Sequence, residues 1–346
     1  MVIELGISTF GETTPLEKKG YALSHAERIR NMVAEIELAD QVGLDIYAIG
    51  EHHREDFAVS APEIVLAAGA VKTRQIRLSS AVTILSSIDP IRVYQQYASI
   101  DALSQGRAEI MAGRGSFVES FPLFGYDLAD YEELFEEKLA MLLKIKEKEY
   151  LSWQGKHTQT VLERPVYPRA VQKDFPIWVA TGGNLDSTVK IAEKGLPITY
   201  AAIGGNPKSF AGLVSIYKKI GQRSGYSLEQ LKVAAHSWGW LSEDHEQAIK
   251  DYYYPTKIIT DHIGRDRPHW QEMTYDSYLE AVGPEGAIFA GDPDHVAEKI
   301  INLVKELQLN RFMLHLPVGS MPHEETLKAI KLYGEKVAPK VRAYFQ

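Results

Sequence analysis

Eight short runs rich in β-branched and aromatic residues alternate with stretches of helical periodicity along 346 residues. That alternation predicts an α/β fold, a single (β/α)8 TIM barrel with a long insertion loop after the seventh strand. Two more observations support it: several of the intervening helices open on strong capping signals, and the length suits one large α/β barrel. A doubly wound open sheet is the rival reading of the same alternation.

The strand-like runs are Val2–Phe10, Asp45–Gly50, Ile76–Leu85, Ala108–Ala112, Pro176–Thr181, Pro197–Ala202, Leu231–Leu241 and Arg311–Pro317. Residues 24–43 put Ile29, Met32, Val33, Ile36 and Ala39 on one helical face, with Gly43 as a stop. Residues 90–105 open on Asp89-Pro90 and carry Val93, Tyr94, Tyr97 and Ile100 at helical spacing. Residues 293–309 open on Asp292-Pro293 and align Val296, Ile300, Leu303, Val304 and Leu307. Asp as N-cap followed by Pro in the first turn is a favoured helix opening. Two stretches interrupt the pattern. Tyr150–Lys173 reads as a small hairpin, and Tyr254–Gly291 reads as a long loop rich in Pro, Gly and charge, of the kind that forms mobile lids or stays disordered. With no internal repeat and no linker, one domain over residues 1–346 is expected.

The composition is that of an ordinary globular chain, and its formal charge of −8 argues against partners such as nucleic acid or an anionic membrane. The absence of cysteine excludes disulfides, thiolate metal sites and a cysteine nucleophile, and fits a cytoplasmic location. The first ten residues, MVIELGISTF, read as a strand rather than a signal peptide. No apolar run approaches the about 20 residues that span a bilayer.

In a barrel of this type the chemistry gathers where strands end and lead into helices. The rule selects 10–19, 50–60, 85–90, 113–125, 181–186, 202–206 and the 254–291 loop. The second run leads straight into Glu51-His52-His53, a proton-transfer candidate because histidine titrates near neutrality. Neighbouring residues on an extended chain point opposite ways, so at most one of the two histidines faces a ligand. The plainer reading is that they merely brace a loop, and no third ligand stands at a metal-binding spacing. The fourth run ends in Gly113-Arg114-Gly115, where arginine can grip a phosphate, although a surface turn fits as well. After the fifth run, Gly182-Gly183-Asn184-Leu185-Asp186-Ser187 leads into a helix, an arrangement that binds anions or is simply a strand-to-helix turn. Neither G-x-G-x-x-G nor a Walker A motif is present.

In order along the chain, Ile49–His53 (IGEHH), Ala81–Pro90 (AVTILSSIDP), Asp101–Gly115 (DALSQGRAEIMAGRG), Pro176–Pro197 and Ala290–Lys299 (AGDPDHVAEK) resemble the bacterial luciferase family of flavin-dependent monooxygenases. The resemblance runs from Glu4 to about Lys336. It implies FMN as cofactor, used in its reduced form as a co-substrate, with oxygen and a small organic substrate. His52 looks like the family's catalytic histidine and Arg114 like its phosphate-binding arginine. Gly183, Asn184 and Ser187 look like the rest of the phosphate cradle, with Gly182 included if the turn is one residue longer. Ala81–Val82 falls where the family often has a non-prolyl cis peptide beneath the flavin ring. A homodimer and a separate flavin reductase are implied in the same way. Two departures stand out: Gly113 replaces a reactive cysteine of the luciferase α chain, and the 254–291 segment, with Arg265, Arg267, His269 and Trp270, matches the family's mobile loop in position more than in sequence. Those four are candidates to meet a substrate, or ordinary loop residues. The alternatives are an F420-dependent hydride-transfer enzyme of the same superfamily and a noncatalytic flavin-binding protein; a metal-dependent barrel hydrolase lacks the ligands.

Overall fold

The computed structural model describes residues 2–115, 117–264 and 271–346. Along the chain come β1 (Glu4–Thr9), α1 (His25–Gln41), β2 (Ile46–Ile49), α2 (Pro62–Ala70), β3 (Arg77–Ser80), β4 (Thr83–Ile84), α3 (Pro90–Ser104), β5 (Ala108–Gly113), α4 (Ser120–Phe124) and α5 (Tyr131–Glu147). Then follow β6 (Tyr150–Trp153), β7 (Val161–Pro165), β8 (Ile177–Thr181), α6 (Leu185–Glu193), β9 (Ile198–Ala201), α7 (Ala211–Arg223) and β10 (Val233–Leu241). The last are α8 (His245–Gly264), α9 (Tyr275–Val282), β11 (Ile288–Gly291), α10 (Pro293–Leu307), β12 (Arg311–His315), α11 (His323–Leu332) and α12 (Ala338–Phe345).

The parallel pairings β1–β2, β2–β3, β3–β5, β5–β8, β8–β9, β9–β10, β10–β12 and β12–β1 return to their starting point, so eight strands close a barrel. Those are the eight runs read from the sequence. Closure buries both faces of each strand, and β1, β2, β5, β10 and β12 are accordingly buried almost throughout. The helix openings are as the sequence implies: Asp89 accepts from the amides of Ile91 and Arg92, and Asp292 from those of Asp294 and His295. Tyr150–Lys173 contains the antiparallel pair β6–β7.

Two readings need correction. The Ile76–Leu85 run is not continuous but breaks between β3 and β4 at Ala81–Val82. The described part of the 254–291 insertion is largely regular: α8 continues through Pro255 to Gly264, α9 follows, and β11 adds a further parallel strand along Trp238–Leu241. Burial overrode local propensity there, because Ile249, Tyr252, Pro255, Thr256 and Ile259 form one covered face of α8. The Thr256 and Thr260 hydroxyls donate back to carbonyls one turn earlier, at Tyr252 and Thr256. Arg265, Arg267, His269 and Trp270 lie outside the described residues. Among the described residues no helix is long and apolar enough to cross a membrane.

Candidate active site

All barrel strands are parallel, so their C-terminal ends share one mouth. Glu51, His52 and His53 leave β2 there, and the two histidines diverge. His53 Nε2 pairs with Glu51 Oε1 at 2.8 Å, while Glu51 Oε2 accepts the Ile84 amide, bracing the loop against β4. His52 turns to the other side, stacked on Phe57 at 4.3 Å and edge-on to Phe10 and Phe117. Its Nδ1 is buried with no partner among the described residues.

The Ala81–Val82 peptide, which is cis, lies beside this loop. The Ala81 amide donates to the Ile49 carbonyl, and the Glu51 amide donates to that of Val82. On its other side stands Gly113, where an added Cβ would come within 2.7 Å of the Val82 side chain. The luciferase-type cysteine therefore has no room here unless Val82 moves.

Arg114 follows. Its guanidinium lies over the Phe135 ring and one NH donates to Ser187 Oγ at 3.1 Å, bringing together two residues 73 positions apart. Glu132 and Glu136 also approach it, at 2.9 and 3.7 Å. The Glu132 side chain is 61% exposed, so that pair contributes at most about 1 kcal/mol and an incoming anion can displace it. Nε of Arg114 is buried without a partner among the described residues. Ser187 sits in the first turn of α6, where Asn184 is the N-cap and its side chain accepts the Ser187 amide at 2.9 Å. Gly183 supplies the positive φ, 101°, that turns β8 into the helix, and open space surrounds the position of a Gly182 Cβ. A guanidinium, a hydroxyl and a helix N-terminus converge, a set suited to a phosphate.

The structure also brings together residues that sequence reasoning missed. Ser8, His236 and His315, from the adjacent strands β1, β10 and β12, point into the barrel beneath the mouth, and Glu12 caps them. The Phe10 ring touches His52, His236 and His315, at 4.8, 6.2 and 4.2 Å, so the three histidines surround one aromatic post. The segment starting at Phe10 was selected by its position, but nothing in sequence spacing relates residue 12 to residue 315. A surface cleft of about 690 Å³ between the end of β10, α8 and α11 contains none of these groups. Chemistry rather than volume locates the site.

Burial pushes both His52 and His236 down to about 3, because neither can hold a charge among aromatic rings. In the unfolded chain both titrate near 6.5, so between about pH 6.5 and 3 the unfolded state binds more protons. Their contribution to stability is whole above pH 6.5 and declines as pH falls, by up to about 1.4 kcal/mol per pH unit for each ring. Urea unfolding at pH 7.5, 6 and 5 is expected to reveal this decline, and His52→Gln should remove about half of it. An unchanged pH slope in that variant would contradict a neutral, buried His52.

Comparison with known proteins bears on the fold and the family. The N-acetyl-S-alkylcysteine monooxygenase of Bacillus subtilis (strain 168) is 25% identical over 307 residues, covering 85% of this chain and 88% of that protein. Among solved structures, the oxygenating constituent of 3,6-diketocamphane monooxygenase from Pseudomonas putida, in complex with FMN, superposes with a TM-score of 0.76 at 17% identity, over 99% of both chains. The coenzyme F420 dependent tetrahydromethanopterin reductase from Methanopyrus kandleri superposes at 0.74 with 21% identity, over 98% of this chain and 99% of that one. At such identities the structures speak for the fold. Sequence speaks for the family: the model of luciferase-like monooxygenases matches residues 4–310, taking in β1 through α10 and every site residue named above except His315, and the chain belongs to that family.

Proposed function

We propose that this protein is an FMN-dependent oxidoreductase, a monooxygenase that uses reduced FMN and oxygen on a small organic substrate. The observation that carries the reading is the Arg114–Ser187 hydrogen bond at the N-terminus of α6, on the same barrel mouth as His52. Arg114, Ser187 and the N-terminus of α6 would hold the FMN phosphate, and Ala81–Val82 and His52 belong to the same barrel mouth. The unpartnered Nε of Arg114 and Nδ1 of His52 are buried polar atoms of the kind a bound ligand satisfies, so the residues fit the cofactor. When bound, the flavin supplies the two-electron redox chemistry and the activation of oxygen.

The chain's own contribution is threefold. Arg114, Ser187 and the amides after Gly183 fix the phosphate; Phe10, Phe57 and Phe117 keep water from the reacting face; and His52, held neutral, exchanges a proton with whatever develops charge there. Lacking a dinucleotide fingerprint, the protein is proposed to receive reduced flavin from a separate reductase, as a cytoplasmic homodimer.

Titration with oxidised and dithionite-reduced FMN tests the assignment, tighter binding of the reduced form being expected. Equal or absent binding of both forms would count against it. Arg114→Ala should weaken FMN binding by about 1.5–3 kcal/mol, roughly 10- to 150-fold, the range for charge-assisted hydrogen bonds. Riboflavin, which has no phosphate, should bind both proteins alike. A rival within the superfamily, F420-dependent hydride transfer, is kept in view by the reductase-like fold. Oxygen consumption with reduced FMN separates the two.

A further inference from the structure

Beneath the mouth, four polar side chains in the apolar barrel form a single file. His236 Nδ1 lies 3.3 Å from Ser8 Oγ, the same oxygen lies 3.3 Å from His315 Nδ1, and His315 Nε2 lies 2.7 Å from Glu12 Oε1. Ser8, His315 and Glu12 are at most 1% exposed, whereas His236 keeps 8% at the mouth, and no described residue bonds its Nε2.

The hydrogen count gives the file a direction. With Glu12 a carboxylate, the proton on His315 sits at Nε2 and its Nδ1 is a bare acceptor. Ser8 has one hydroxyl proton, which goes to that Nδ1, so the Ser8 oxygen accepts from Nδ1–H of His236. Nε2 of His236 is then left as a lone pair facing the mouth.

We propose that His236, Ser8, His315 and Glu12 form a proton relay that takes a proton from an acidic X–H of the molecule bound at the mouth and stores it on Glu12. The inference rests on the function proposed above, since that mouth is where substrate would lie, but its test needs no cofactor or substrate. In the step, X–H gives its proton to His236 Nε2. The Nδ1 proton of His236 passes to Ser8 Oγ, the Ser8 proton to His315 Nδ1, and the Nε2 proton of His315 to Glu12. X becomes an anion, Glu12 a neutral acid, and both imidazoles stay neutral with their tautomers exchanged; no electrons move. One negative charge is relocated and no new ion pair is created. A lone His236 would have to become an imidazolium among Phe10 and its neighbours, which burial opposes. Among the described residues, the other titratable groups around the file are His52, within electrostatic reach of His315, and Arg28, Tyr47 and Tyr252, within electrostatic reach of Glu12. Arg28 is occupied by Glu35 at 2.6 Å and does not neutralise Glu12 by a hydrogen bond of its own.

Histidine-15N NMR of the full chain, titrated from neutral pH downward, reads the tautomers directly. At neutral pH the proton of His236 is expected on Nδ1 and that of His315 on Nε2. On acidification the first event should be a joint exchange of both tautomers with both rings still neutral. In Ser8→Ala the exchange should vanish, with His315 keeping Nε2–H while His236 titrates alone. In Glu12→Gln, whose amide oxygen can still accept from His315, the neutral-pH tautomers should persist and the joint exchange should be lost. A proton on His236 Nε2 at neutral pH overturns the relay. So does an unaltered joint exchange in either variant, and Glu12→Gln decides alone if Ser8→Ala does not fold. FMN titration of the same samples keeps the two ideas apart, because a failed relay in a protein that binds FMN leaves the proposed function standing.

Discussion

Glu109→Ala is expected to lower the unfolding free energy by about 3–5 kcal/mol, the usual consequence of leaving one member of a buried ion pair alone. Arg311 enters the barrel from the start of β12 and meets Glu109 of β5 through two parallel bonds of 2.6 and 3.1 Å, with its guanidinium over the Trp178 ring. The side chains of Arg311 and Glu109 are only 2% and 1% exposed. Glu4, 39% exposed, also holds Arg311 but faces solvent, so it offsets only part of the loss. Removing both charges together, as in Glu109→Leu with Arg311→Met, should cost much less, since an isosteric apolar pair needs no compensation. Urea denaturation of the single and double variants measures this. Equal losses in both would mean that packing, not charge, dominates at this end of the barrel.

The second large effect concerns chemistry at the opposite end. Under the proposed function, His52→Asn should reduce kcat by about 10²- to 10⁴-fold, the range attributed to a positioned acid–base group. FMN affinity should change by less than about 3-fold, because the phosphate cradle of Arg114 and Ser187 is contributed by the end of β5 and the first turn of α6. Stopped-flow turnover and flavin titration on the same preparation provide the two numbers. Comparable losses in both would make His52 a packing residue of the Phe10–Phe57–Phe117 cluster. Because His52 is already neutral far below pH 7, no limb between pH 6 and 8 of the rate profile should belong to it.

Much of this architecture was legible in the residues alone. The eight runs became the eight barrel strands because burial on both faces of a parallel barrel imposes local enrichment in β-branched and apolar residues. The Asp-Pro openings at residues 89 and 292 act as caps because capping is decided within three residues of chain. For the same reason the turn at Gly183 and the divergence of His52 from His53 could be anticipated. The content of the 254–291 insertion could not. Pro255 and the surrounding polar residues read as loop, and only the burial of one face of α8 against its neighbours makes the segment helical.

Local chemistry in this chain, its caps, turns and candidate ionisable groups, was determined by sequence alone. Tertiary structure decided which of those groups meet: Arg114 with Ser187, Arg311 with Glu109, and Ser8 and Glu12 with histidines more than 200 positions away. The reason is that barrel closure joins the first strand to the last. Proximity there is set by strand register and shared burial, which leave no periodic trace along the chain.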